Sequence, residues 1–182
     1  MRIISFFGIA ILILTSAGCV SDLPVQPVQA FELNRYLGKW YEIARLDHFF
    51  ERGLESVTAE YSLRDDGGIR VVNRGYSVQK GEWKEAIGKA YFKETERLGH
   101  LKVSFFWPFY SSYIVFYVDP GYQYAFVAGP DHSYLWLLSR TSTVSEDVYS
   151  HFLAMAEEMG FDVRKLKKVK HRSSLTESLD TP

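Results

Sequence analysis

Of the side chains that can attack a bond, shuttle a proton or hold a metal, this sequence has few and scatters them. It holds a single cysteine, Cys19, and five histidines, spread along the chain without the close ligand spacing of a metal site. His48 stands beside Asp47 and near Glu51, and His132 follows Asp131; either group suits acid–base chemistry. Neither histidine has a serine or cysteine at a spacing that marks a nucleophile. No glycine-rich loop follows a strand pattern and opens a helix, so no phosphate cradle is read. The pattern implies no catalytic residue, no metal and no cofactor, although an enzyme stays open as the rival class to a binding protein or a solid structural barrel.

Charge excludes another class. The formal net charge is −1, and the only dense basic run is Arg164 to Arg172. Apolar residues alternate through that run, which reads first as a strand with one wet face rather than as a nucleic-acid stripe. Apolar residues make up 47% of the 182-residue chain and aromatics 16%, far too much for a disordered chain and about right for one domain with one core.

The N-terminus is organised differently from the rest. Met1 and Arg2 precede an almost unbroken apolar stretch from Ile3 to Leu14, followed by small Ser16, Ala17 and Gly18. That is the layout of an export signal, and the apolar stretch is too short to span a bilayer comfortably. The expected division is a signal over residues 1–18, a tether over 19–30 containing Pro24 and Pro27, a folded domain over 31–172 and a polar mobile tail over 173–182. Cys19 is either a free thiol or a modified one. Thr15-Ser16-Ala17-Gly18-Cys19 resembles the lipobox of bacterial lipoproteins, which implies lipidation of Cys19 and attachment to a membrane through it. Val20 in place of Asp implies the outer membrane.

From Trp40 onward the pattern has a period close to two, broken by turn signals. Val57, Ala59, Tyr61 and Leu63 alternate with Ser56, Thr58, Glu60 and Ser62, and Asp65-Asp66-Gly67-Gly68 then makes a turn. With Trp40 to Phe49 counted first, similar stretches continue to Tyr134–Arg140 and give eight consecutive strands. Short connections make neighbours antiparallel. Such a meander closes most simply into an all-β, eight-stranded, up-and-down barrel, since closure removes exposed edges; a two-sheet sandwich is the alternative. Tyr113–Val118 and Tyr134–Leu138 are apolar on both faces, so part of their outer face needs a cover. Residues 144–159 supply it as one external α-helix: Thr143 and Glu146 form a capping-box pair, Val148, Phe152, Met155 and Met159 share a helical face, and Gly160 ends the helix. A ninth strand is expected around 162–169.

Closure brings distant residues together. Trp40 opens the first strand and Arg140 ends the eighth, its neighbour in a closed barrel, so a guanidinium can lie over an indole and plug one end. The connections at 49–55, 77–82, 107–112 and 129–133 then share the opposite end. Small residues at Ala44, Ala59, Gly75, Gly88, Ala90 and Ala128 suit an open interior, or else relieve crowding at barrel corners. Tyr113 and Trp136 are either pocket walls or outward core beneath the helix. Trp107, Phe109 and Tyr110 form a conspicuously aromatic connection that can close over a ligand, touch a membrane or join a second subunit.

Asn34-x-x-x-Gly38-Lys39-Trp40-Tyr41 resembles the first signature of the lipocalins, with Arg140 where the third signature has its arginine. The runs Trp40-Tyr41-Glu42-Ile43-Ala44-Arg45, Phe50-Glu51-Arg52-Gly53-Leu54-Glu55 and Leu101-Lys102-Val103-Ser104-Phe105-Phe106 are similar to the bacterial outer-membrane lipoprotein branch of that family. So is the run Tyr134-Leu135-Trp136-Leu137-Leu138-Ser139-Arg140. In the second signature Tyr122 matches, while Pro120 and Gly121 replace the usual Thr and Asp. The resemblance implies a non-enzymatic carrier or store of fatty acids or lysophospholipids, in a periplasmic barrel held to the outer membrane, with a homodimer as a possible partner state and no nucleic-acid partner.

Overall fold

The computed structural model describes residues 25–172; the expected signal, Cys19 and the tail from 173 lie outside the described residues. The elements in order are α1 (Leu33–Tyr36), β1 (Gly38–Leu46), β2 (Leu54–Leu63), β3 (Ile69–Ser77), β4 (Glu82–Phe92) and β5 (His100–Phe106). They continue as β6 (Phe109–Val118), β7 (Tyr124–Ala128), β8 (Leu135–Ser139), α2 (Glu146–Glu158) and β9 (Leu166–Lys168). Each of β2 to β8 pairs with its sequence neighbour, and β1 pairs with both β2 and β8, which closes the barrel. All pairings are antiparallel.

The seam beside β1 is closed in two halves. β2 holds β1 at the lower end, with Gly38 opposite Tyr61 and Trp40 opposite Ala59. Higher up, the ladder of β2 with β3 is irregular between Glu55 and Thr58, where Ser56 adopts a left-handed φ of 51°, and β9 takes over the edge of β1 from Ala44 to Leu46. The following residues fill the gap: Val169 N donates to Ile43 O at 2.9 Å, Ser56 N to Lys170 O at 2.7 Å, and Arg172 N to Ser56 Oγ at 2.9 Å. The basic run is therefore a barrel stave. β9 is shorter than the expected strand because Asp162 holds Arg164 at 2.8 Å and Lys165 at 3.2 Å, in a 3-10 turn over Val163–Lys165.

Strand parity separates two cores. Inward-facing Tyr61, Val71, Leu101, Val115, Val127 and Leu138 join Trp40 in the barrel interior. Outward-facing Ile114, Phe116, Phe126, Ala128, Leu135 and Leu137 form a second cluster with Phe152 and Ala156 of α2. This explains why β6 and β8 are apolar on both faces: α2 covers the outside, with Phe152 and Ala156 wholly buried. The helix begins later than the sequence pattern suggests, since Ser145 rather than Thr143 accepts from Val148 N, at 3.3 Å. Thr143 O is taken by Thr141 Oγ1 at 2.7 Å. Gly160, at φ 85°, ends α2, and Phe161 N returns to Ala156 O at 3.0 Å.

Two expectations shift at the ends. Val25 is buried in the outer cluster, and Val28 bonds Val115 and Gly99 through its backbone, so the chain is already laid on the barrel at 25, inside the stretch read as tether. The aromatic connection expected over 107–112 is a tight turn, because β5 runs on to Phe106 and β6 starts at Phe109.

Candidate ligand-binding site

The closed end is built around Trp40, which has no solvent exposure. Its indole Nε1 donates to Tyr36 O at 2.7 Å, so the short α1, absent from the sequence reading, serves as the lid of the floor. The Arg140 guanidinium lies 3.8 Å from the indole centroid and donates to the carbonyls of Arg35 (2.7 Å), Lys39 (2.8 Å), Leu37 (2.9 Å) and Tyr122 (3.3 Å). One side chain thus ties α1, the start of β1 and the Tyr122 turn together through charge-assisted hydrogen bonds. Gly38 lies beneath it at a φ of 91°, a left-handed conformation that favours glycine.

Above this floor the barrel opens into a cavity of about 580 Å³, within the range of small-molecule sites. Its wall is mainly aliphatic and aromatic, with Val57, Ile69, Val71, Leu101 and Leu138 among its residues. Three phenols line its lower part: Tyr113 Oη is 2.6 Å from Tyr36 Oη and 2.8 Å from Tyr61 Oη. Burial pushes all three well above the usual phenol range, so they are neutral O–H groups.

The upper wall holds buried charge. Arg45 Nη1 donates to Glu42 Oε1 at 2.6 Å, and Arg45 Nη2 donates to the carbonyls of Glu51 at 2.7 Å and Leu54 at 3.3 Å. Trp136 Nε1 donates to Glu51 Oε2 at 3.2 Å. Burial raises the Glu42 carboxyl well above the usual range, its neighbour Glu51 adds to this, and Arg45 opposes it. Burial raises Glu51 as well. Two buried carboxyls beside one guanidinium are therefore best satisfied with one proton between them. This cluster pins the loop from Asp47 to Gly53 against the mouth.

Around the mouth, large apolar side chains stand in solvent: Phe49 is 82% exposed, Phe106 81%, Trp107 78% and Phe109 77%. A model of the lipocalin-like domain matches residues 31–171. The chain belongs to the lipocalin family. Among its relatives, the outer membrane lipoprotein Blc of Vibrio cholerae is 64% identical over 143 residues, covering 78% of this chain and 84% of that one. The outer membrane lipoprotein Blc of Escherichia coli is 51% identical over 168 residues, covering 91% and 95%. Insecticyanin from the tobacco hornworm Manduca sexta shares the fold, with a TM-score of 0.65 at 22% identity over 83% of this chain and 86% of that one.

In this lipocalin, Ala59, Tyr113 and Trp136 line the cavity. Ala44 lies elsewhere. The β1–β8 register shifts between Glu42 and Ala44, and this bulge turns Ala44 outward into the cluster under α2, where its small side chain, like that of Ala128, leaves room for the helix. The same bulge lets both Glu42 and Arg45 face inward, which strict alternation forbids. Phe109 and Tyr110 lie on the cavity mouth, and Trp107 is exposed beside them. The two histidines considered for acid–base chemistry have structural partners. His48 is stacked on Tyr134 at 4.0 Å, and burial lowers its pKa. His132 Nε2 meets Met159 O at 2.9 Å at the end of α2. Among the described residues no group of three His, Cys, Asp or Glu can hold a metal ion. Outside the barrel, a groove of about 830 Å³ runs past Asp47, Arg52, Asp162 and Lys167. Asp47 is held there by Lys167 at 2.8 Å, and the groove lacks the enclosed apolar wall of the barrel cavity.

Sequence reasoning missed Tyr36, Tyr61, Glu42 and Arg45 as site residues, and it read Glu51 beside His48 rather than with Glu42 and Arg45. Glu42 did carry a signal, since it shares the parity of the buried Trp40.

Proposed function

We propose that this lipocalin binds, and stores or carries, single-chain acyl lipids such as fatty acids or lysophospholipids. The supporting observation is the apolar cavity of about 580 Å³ with one plugged end and one aromatic-rimmed mouth, which can bury a single acyl chain. The protein is a carrier at the outer membrane with its barrel in the periplasm, and lipid on Cys19 is the attachment. Its test uses the chain from residue 20, which contains every strand of the barrel, incubated with a bacterial lipid extract and examined by native mass spectrometry. Retained monoacyl lipids are the expected result. Failure to retain any lipid, extracted or added, sinks the proposal.

For the rim, the reading best supported by so much exposed aromatic surface is a second copy of the chain meeting it at the mouth. Sedimentation equilibrium should then show a dimer for the native chain and a monomer for the Trp107→Ser/Phe109→Ser variant. A monomeric native chain at all accessible concentrations excludes it.

A further inference from the structure

The three phenols at the closed end of the cavity do not balance their own hydrogen bonds. A phenol donates one proton and can accept others. Tyr36, Tyr113 and Tyr61 form a chain with two contacts, of 2.6 Å and 2.8 Å. Whichever way the protons point, two contacts use two of the three donors. One O–H is left over, and among the described residues the three hydroxyls make no other hydrogen bond. Ionisation does not remove the surplus, since burial holds all three phenols in the neutral form. The surroundings favour an electron-rich partner. Arg140, behind the indole of Trp40, donates only to carbonyls, and no carboxylate pairs with it among the described residues. A donor in an apolar wall that faces an open cavity is most stable when something in the cavity accepts from it.

We propose that the Tyr36–Tyr113–Tyr61 cluster is an oxygen-binding subsite, and that it selects acyl chains carrying a hydrogen-bond acceptor at their buried end. The inference rests on the acyl-lipid reading of the cavity. Two ligands present the same chemistry there: a lipid whose chain bears a terminal hydroxyl and enters tail first, and a fatty acid that enters carboxyl first.

The test is a competition assay with the chain from residue 20 against a fluorescent fatty acid, comparing palmitic with ω-hydroxypalmitic acid and the lysophosphatidylcholines of the same two chains. For the native protein the ω-hydroxy ligand binds at least as tightly as its parent, because the hydroxyl exchanges water for the spare phenol. In the Tyr36→Phe/Tyr61→Phe/Tyr113→Phe variant the same hydroxyl is buried without a partner, and its relative affinity falls about tenfold or more. An unchanged ratio in the triple variant overturns the subsite. Should that variant fail to fold, the native protein decides by isotope-filtered NMR: bound ω-hydroxypalmitate must place its hydroxyl-bearing carbon, or its carboxyl end, against the three tyrosine rings, and a bound ligand that touches them with neither overturns it. For palmitic acid, contacts from the carbon next to the carboxyl assign carboxyl-first binding. Contacts from the methyl end, with the ω-hydroxyl preference retained, assign the subsite to hydroxylated chains. If no acyl ligand binds at all, the carrier reading fails instead.

Discussion

The two ends of this barrel solve opposite problems with the same residue types. At the closed end, aromatic rings are buried and Arg140 is spent on four backbone carbonyls. At the open end, aromatic rings stand in water, and Arg45 is spent on holding a loop through Glu42 and the carbonyls of Glu51 and Leu54. Aromatic content alone thus says nothing about role. What differs is whether the surrounding backbone gives each polar group a partner and each ring a wall, and that decides which end carries stability and which is left free for a ligand or a partner.

The strongest way to break this contrast is Trp40→Ala. It empties the space of an indole that is completely buried, and the expected loss is about 3–5 kcal/mol in urea unfolding; a near-neutral result would remove Trp40 from the floor as described. Arg140→Met keeps much of the side-chain volume while removing the cation–π contact and four donated hydrogen bonds. It should cost about 2 kcal/mol by the same measurement.

The buried carboxyls sharpen the contrast through pH. Glu42 is raised above its ordinary 4.5, so the folded state binds a proton that the unfolded chain releases. The stabilisation it contributes is complete below 4.5 and is lost as pH rises through the elevated value. The slope is at most about 1.4 kcal/mol per pH unit for one proton. Glu42→Gln should flatten that part of the stability profile in denaturant titrations at stepped pH. An unaltered slope would mean that the proton is held elsewhere.

Much of this was legible in the sequence where one rule acts alone. Alternation placed Val57 to Leu63 and the staves after it, the turn residues set their order, and closure then made neighbours of Trp40 and Arg140. Legibility failed where two effects compete. Ala44 was placed in the cavity on its small size, which suits an open interior and a crowded helix contact equally, and the bulge after Glu42 turns it to the helix. Tyr36 went unnoticed because four residues of helix, Leu33–Tyr36, are too short to leave a periodic pattern. The Glu42–Arg45 pair was hidden by the same bulge: only a bulge lets residues three apart in one strand face the same interior. The family resemblance supplied the carrier reading, but a signature of glycine, tryptophan and arginine describes the floor and is silent about the wall.

The smallest expected effect tests the other side of the comparison. Phe106 is 81% exposed, so Phe106→Ser gives up almost no burial, and its effect on unfolding free energy should stay within about 0.5 kcal/mol. The comparison is with Trp40→Ala on the same chain at the same concentration, both read below the concentration at which any dimer forms, since association would add stability by mass action. If Phe106→Ser costs as much as the floor substitution under those conditions, the rim is part of the folded core, and the division into a structural end and a free end fails. If it costs nothing, the exposed rings are retained at a standing risk of aggregation that folding does not require, and the reason for them has to be sought in what meets the mouth.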